Sequence, residues 1–527
     1  MVKDACAYDV IGFGDEVPGI LALICAAREY RRRTNKHPRV LLMSNGNLQA
    51  GIGGHLVRGG LAYLDRTQID RSFQQSQGLD RFGDPAPIYK EFLHKSGVID
   101  VGLDPRKASE VLRQMLREAG VDILTNVGIR SVTKEGDNLA SITLANDRGI
   151  FAGKQFIDST VNAELAQAAG VRKLKGFETF CLPESELAVT LVFETKGLTP
   201  SRITEIEYRY LKRLTNLSDT EGQTLLLHAA GFDVQFAEAL RKEMLESNGD
   251  LKTLEAGTDY IDIRSTALSV GYHSFRRKKF CLGKTGVILD RANIAILGDD
   301  RLSWNALLIA VTADEVEALA KASAKPTPKM LAEIAWLEKW FKSLGATAVT
   351  PAKELYIRHA GNITGVVEPL TGTKMLMGGV PENESIGTFA YHFDARGEIK
   401  GILDRANAKG FSSVRFPPPV FNIGIQHALV KCVPNLAVVS PASGFEGYAS
   451  TAGRIVEFNS AVGQGVGIAA VIAILDRKNL ANVSNSEVRE VMRETNQLPK
   501  LFGMAKIEEA SQMRSFESEM AIARSMI

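Results

Sequence analysis

Cysteine is scarce here and badly spaced for chemistry: none of the five, Cys6, Cys25, Cys181, Cys281 and Cys432, stands at C-x-x-C or metal-ligand spacing from another. That argues against a cysteine-based metal site or redox dithiol and suits free thiols in a reducing compartment, so a cytoplasmic protein without a metal is expected. An excess of charge of either sign is also lacking. Lys plus Arg number 63 against 61 Asp plus Glu, which offers no field for nucleic acid. One basic run, residues 276–279, reads as a solvated face. The most apolar late stretch, residues 465–475, is too short to span a bilayer and runs into Asp476, Arg477 and Lys478. The amino terminus carries Asp4 and lacks the basic, apolar, small-residue order of a signal peptide. A small molecule is the expected partner, with neither nucleic acid nor a membrane span.

What is present begins at residues 9–28, DVIGFGDEVPGILALICAAR, which reads as strand, glycine turn and helix. Gly12, Gly14 and Gly19 give turns and close approach, and the free amides of a helix N-terminus attract an anion such as a pyrophosphate. In the register G-x-G-x-x-G, however, Glu16 takes the middle glycine, with Asp15 beside it. The second strand, RVLLMSNGN, ends at Ser44 and Asn45, where dinucleotide folds place a ribose-binding acid. The glycine pairs Gly53, Gly54 and Gly59, Gly60 follow, spaced for backbone to approach a ligand.

Residues 104–119 predict an amphipathic helix opened by Asp104 and Pro105 and closed by Gly120. Short strands and a hairpin follow between Val121 and Ile150, then a strand over 154–157 and a small-residue helix over 165–169. LAVTLVFET and IDIRSTALSV predict longer strands, and helices are predicted over 313–324 and 330–344. Within this middle region YIRHAGN and YHFDAR offer the best catalytic candidates: Arg358 to orient a carboxylate or carbonyl, and His359 or His392 to move a proton. Toward the end, Arg454 precedes NSAVGQGVGIAAVIAIL, whose Gly463, Gly465 and Gly467 require something to approach a helix closely. Ser484 and Glu487 form a capping-box pattern, and a last helix runs from Lys506 toward Ile527.

In order and spacing these segments resemble the FAD-dependent oxidoreductase family of the glutathione-reductase-like type, whose FAD domain is split by a substrate domain. The resemblance runs from Asp9 to about Arg477 and includes FIDSTVNAELAQAAG, similar to the family's F-I-D-A-T-G segment, and NLAVVSPAS before the final glycine-bearing helix. It implies an α/β fold: a discontinuous Rossmann-like FAD-binding domain with a parallel sheet (1–175 and 420–480), an α+β substrate domain (176–419) and a helical tail (481–527). It also implies FAD as cofactor. Gly12, Gly14, Asp15, Glu16, Gly19 and Thr160 would lie at the pyrophosphate, with Ser44 and Asn45 by the adenosine ribose and Ile129 by the adenine. Gly53 and Gly54 would line the diphosphate and ribityl chain, and Arg454, Gly463, Gln464, Gly465 and Gly467 the flavin end. Arg358 matches the arginine of R-E-T-R.

Each segment also departs from its pattern. Glu16 replaces a glycine, Ser44 an acid, Val161 the glycine of A-T-G, Ser440 and Pro441 a Gly-Arg pair, and His359 a glutamate. Two functions follow as expectations. One is an FAD-dependent oxidoreductase acting on a small organic substrate. The other is a flavoprotein-derived binding or scaffold protein that has lost FAD and catalysis, in which Asp15 or Glu16 caps the first helix itself.

Overall fold

A computed structural model describes residues 6–298 and 300–521; Asp4 and the final residues of the expected last helix lie outside the described residues. The first sheet grows from β1 (Cys6–Phe13), whose last four residues, Val10 to Phe13, are all buried. An apolar run without alternation marks a strand covered on both faces. The chain continues through α1 (Val17–Thr34), β2 (Val40–Met43), the short α2 (Gly54–Val57) and α3 (Pro105–Ala119) to β3 (Val121–Leu124), β4 (Ile129–Glu135), β5 (Asn138–Leu144) and β6 (Ile150–Asp158). As expected, Asp104 accepts the Arg106 amide at 2.9 Å to start α3, and Gly120 ends it at φ +72°.

The strand order is β3-β2-β1-β6-β5-β4, with β1, β2, β3 and β6 parallel and β4-β5 an antiparallel hairpin. β6 divides its edge. Its first residues pair with β5, while Phe156 to Asp158 pair in parallel with a strand from far along the chain, residues 436–438. The first sheet is therefore α/β, Rossmann-like and discontinuous.

After α4 (Glu164–Ala168) comes an antiparallel sheet of β7 (Val189–Thr190), β8 (Phe193–Lys196), β9 (Glu255–Ala256), β10 (Tyr260–Asp262), β11 (Val287–Ile296), β12 (Arg301–Ile309) and β13 (Ala348–Pro351). LAVTLVFET is thus two strands rather than one. Both lie along β12, and the ladder breaks where the Ala352 amide turns in to bond the Val192 carbonyl at 2.8 Å. IDIRSTALSV is also corrected: its strand stops at Asp262 and α5 (Ala267–Arg276) takes over. Glu243 captures the amide and hydroxyl of Thr266 at 3.0 and 2.9 Å, and Glu207 the Ser265 hydroxyl, so carboxylates from neighbouring helices turn the chain out of the sheet. Helices α6 (Ala313–Lys321) and α7 (Pro328–Ser343) follow, and Trp304, Trp340 and Phe341 fill the core they share with the sheet.

The chain rejoins the first sheet later than the expected boundary at residue 420. Val420–Asn422 pairs with Thr388–Ala390, and only β14 (Leu436–Val438) joins β6. Next is α8 (Val456–Leu475), the one helix among the described residues long and apolar enough to cross a membrane, and it is buried in the protein core. α9 (Asn485–Glu494) carries the expected capping box, with Ser484 and Glu487 bonded reciprocally. α10 (Ile507–Ala521), in the expected helical tail, is docked on the protein: Glu517 accepts the Gly372 amide at 2.8 Å, and Phe516 is fully buried.

Helix α8 runs against α1, and its glycines make that possible. A Cβ on Gly463 would stand 2.4 Å from the Pro18 carbonyl oxygen, one on Gly467 2.3 Å from that of Ala22, and one on Gly465, on another face, 2.7 Å from Ile386 and Ile425. These glycines accept protein, not a flavin, which corrects their expected role. Gly467→Ala should therefore lose about 1–3 kcal/mol in chemical denaturation, because overpacking against a backbone outweighs the ~1 kcal/mol helix-propensity gain. An unchanged unfolding midpoint would mean the helices are not in this close contact.

Candidate functional site

β1 carries the chain past the end of β6 into the glycine turn. Gly14 adopts φ +98°, and a Cβ there would lie 2.6 Å from the Thr160 amide nitrogen. Only glycine serves at such a position. Helix α1 begins at Val17 with Pro18 second, and no side chain caps it. Capping by Asp15 or Glu16 is therefore corrected: Pro18 lacks one of the two N–H groups an N-cap side chain normally reaches.

The acids turn instead to the loop that opens α2. Asp15 accepts the Gly53 and Gly54 amides at 3.1 and 3.4 Å and the Ser44 hydroxyl at 2.9 Å. Glu16 accepts the His55 amide at 3.1 Å and contacts His55 Nδ1, while the His55 ring stacks on Tyr356 at 4.9 Å. Arg58 clamps Asp15 with both terminal nitrogens, bonds Glu354 Oε1 at 2.7 Å and donates to the Gly51 carbonyl at 2.9 Å. Asp15, Glu16, His55 and Arg58 are all buried. Burial works against ionisation of Asp15, but Arg58 outweighs it and holds the carboxyl below its ordinary range. Burial likewise opposes the Arg58 cation, and Asp15 and Glu354 outweigh it.

The neighbouring candidates are also engaged with protein. Asn45 donates to Glu164 at 2.9 Å, and Thr160 gives both its amide and hydroxyl to Asp158. Burial pushes Asp158 up to about 6, and burial with the Asp158 charge pushes Glu164 up to about 7. Ile129 packs on the apolar cluster that contains Phe13 and Phe156. The space left beside Gly14, Asp15, Glu16, Asn45 and Glu164 is about 50 Å³. A pocket for a drug-sized ligand is roughly 300–1,000 Å³. The residues present do not fit FAD in the arrangement the resemblance implies: Asp15 and Glu16 occupy the Gly53, Gly54 and His55 amides along which its diphosphate would lie, and little space is left beside them.

Two of the catalytic candidates, Arg358 and His392, lie near one acid, Asp394, while His359 is tied into the core. His359 is fully buried between Glu186 Oε1 (2.6 Å from Nδ1) and Asn362 Oδ1 (2.7 Å from Nε2). Asn362 donates its amide hydrogens to the Pro441 and Ser443 carbonyls, so its oxygen faces His359 and Nε2 carries hydrogen. That network ties three chain segments together. Arg358, also buried, donates to the Ala188 carbonyl at 2.8 Å and lies 4.5 Å over the Tyr356 ring; burial pushes it down to about 10. His392 is exposed, 2.7 Å from Gln68 Oε1 and 3.9 Å from Asp394. Arg454 is near Arg358: it donates to the Tyr356 hydroxyl at 2.6 Å and pairs with Asp394. Burial resists the Asp394 charge, but Arg454, Arg396, His392 and Arg358 together outweigh it. Gln464 points elsewhere, bonding the Ile88 amide and Gln497.

The sequence reading missed Arg58, Glu354, Glu186 and Asp394. Arg58 had a signal: it lies within GHLVRGG, the loop facing an acid pair that needed a counter-charge. Glu354 and Glu186 had none, because they arrive from distant segments.

A family model described as FAD dependent oxidoreductase matches residues 9–492. Among solved structures, L-proline dehydrogenase from P. horikoshii is 10% identical, with 93% of this chain and 99% of that chain covered and a TM-score of 0.36. A geranylgeranyl bacteriochlorophyll reductase-like protein from Thermoplasma acidophilum is 10% identical, with 99% and 98% covered and a TM-score of 0.36. No curated protein matches the chain.

Proposed function

Because the chain belongs to the FAD dependent oxidoreductase family, we propose that it is a member whose dinucleotide cradle is closed by its own side chains, and that it works as a binding protein rather than a flavin catalyst. The family is FAD-dependent and built on a nucleotide-binding Rossmann fold. One observation carries the reading: Asp15 and Glu16 sit on the Gly53, Gly54 and His55 amides, with Arg58 and His55 as their counter-groups. Opening that cradle for a diphosphate would set anion against anion in a buried site. The five free cysteines support a cytoplasmic location.

Purified under mild conditions, the protein is expected to be colourless and to give no binding heat with added FAD. Stoichiometric flavin absorbance in the unmodified protein would refute the proposal. It would restore the second reading, an FAD-dependent oxidoreductase of a small organic substrate, which the match over residues 9–492 supports.

A further inference from the structure

A second space lies on the antiparallel-sheet side of the molecule. A cavity of about 620 Å³ opens between α6 and α7 over the ends of β11 and β12. Its floor is Val287 and Ile309, directly opposite each other in the β11-β12 register, and its walls include Leu319, Met330 and Trp336. It shares no lining residue with the small cavity beside Gly14, and its volume suits a ligand of some tens of atoms.

The mouth is cationic. Arg276 and Lys278, from the basic run at 276–279, line it with Lys329. Two carboxylates are present, and both are occupied. Glu333 receives Tyr272, Arg276 and Lys278, and Glu315 accepts the Thr312 amide at 2.7 Å in the α6 capping box. Lys329 is exposed and has no ion-pair partner among the described residues. Three cations against two carboxylates leave a surplus of one positive charge over an apolar floor. Beside it, Phe275 and Trp336 stay partly exposed and touch edge to face, with Arg276 4.3 Å over the Trp336 ring.

We propose that this cavity binds an amphipathic monoanion, an apolar body carrying one carboxylate, with the body on Val287, Ile309 and Leu319 and the carboxylate at Lys329 and Lys278. The bland reading of the basic run is thereby replaced, and the site stands whether or not the protein holds flavin.

The test uses the full chain, 1-anilinonaphthalene-8-sulfonate as fluorescent probe, dodecanoate as competitor and dodecanol as its neutral counterpart. Saturable probe binding is expected, with dodecanoate displacing it at about one tenth the concentration dodecanol needs, the value of a charge-assisted contact. Lys329→Glu, at an exposed position, should weaken dodecanoate about tenfold and leave dodecanol unchanged. Ala318→Trp, also exposed, should fill the cavity and abolish displaceable probe binding, with the unfolding midpoint of each variant confirming its fold. Absent saturable binding, equal potency of dodecanoate and dodecanol, or undiminished binding in folded Ala318→Trp would each overturn the proposal.

Discussion

Arg58→Met is expected to cost about 3–5 kcal/mol of stability at neutral pH, as breaking one side of a buried ion pair does. The substitution keeps an apolar stem of similar length and removes the cation that Asp15 and Glu354 share. Asp15 would retain the Ser44 hydroxyl and the Gly53 and Gly54 amides but lose its one charged partner, in a site only 4% exposed. The partner experiment is Asp15→Gly with Arg58→Met. It removes Asp15 together with its cation, so the part of the loss that comes from an unpaired Asp15 should be recovered while Glu354 stays without its partner, and the coupling is read from a double-mutant cycle. The single variant should also recover stability in acid. Without Arg58, burial raises the Asp15 carboxyl above its unfolded value, so the folded variant takes up the proton first and its penalty shrinks as pH falls toward the ordinary carboxylate range. Urea unfolding of the wild-type protein, the two single variants and the double variant at pH 7 and pH 4.5 decides the matter: additive losses in the double variant would show that Arg58 does not neutralise Asp15.

Which parts of this site were readable from sequence depends on how far away each partner lies. The strand, turn and helix of residues 9–28 are local: buried β residues, glycines where backbone must pass close, then a helical apolar run. The anomaly of Glu16 at a glycine position was equally local. Its destination was not. Asp15 meets Gly53, Gly54 and Arg58 about forty residues on and, through Arg58, Glu354 some three hundred beyond. No periodicity reports such a pairing, although a buried acid pair does require some cation. Gly463, Gly465 and Gly467 show the same division. Close approach was legible because glycine is costly in a helix, but whether a ligand or other parts of the protein made that approach depended on the tertiary path. His359 sits beside Asn362 in its own motif, yet Glu186, which fixes its other nitrogen, comes from the start of the second unit. A histidine with both nitrogens bonded inside the core is a tie between segments, and the same three residues in an open cleft would have read as chemistry.

Glu457→Gln is expected to stabilise the protein by roughly 4 kcal/mol at pH 8 and to flatten its stability between pH 6.5 and 8. Glu457 lies in the first turn of α8, 3% exposed, accepting the amide and hydroxyl of Thr67, and burial pushes its pKa up to about 8 from 4.5. A carboxyl raised in the fold binds more protons there than in the unfolded chain. Its contribution is complete below about 4.5 and is lost as pH rises through 8. Over pH 6.5–8 that loss is roughly 2 kcal/mol, with Glu164 adding a smaller part up to about 7. Below pH 6.5 the balance changes. Burial pushes His273 down to about 4 and His427 to about 3, so the unfolded chain takes up their protons first and each opposes the gain from Glu457, Glu164 and Asp158. The wild-type protein should therefore gain stability from pH 8 to 6.5, with the two histidines offsetting part of the further gain below that. Glutamine keeps an oxygen for the Thr67 amide, and the Thr67 hydroxyl can rotate to accept one hydrogen of the new NH₂ group. Unfolding free energies in urea at pH 6.5 and 8 are the measurement. A wild-type protein more stable at pH 8, or a glutamine variant with the same slope, would show that Glu457 keeps its charge in the folded core.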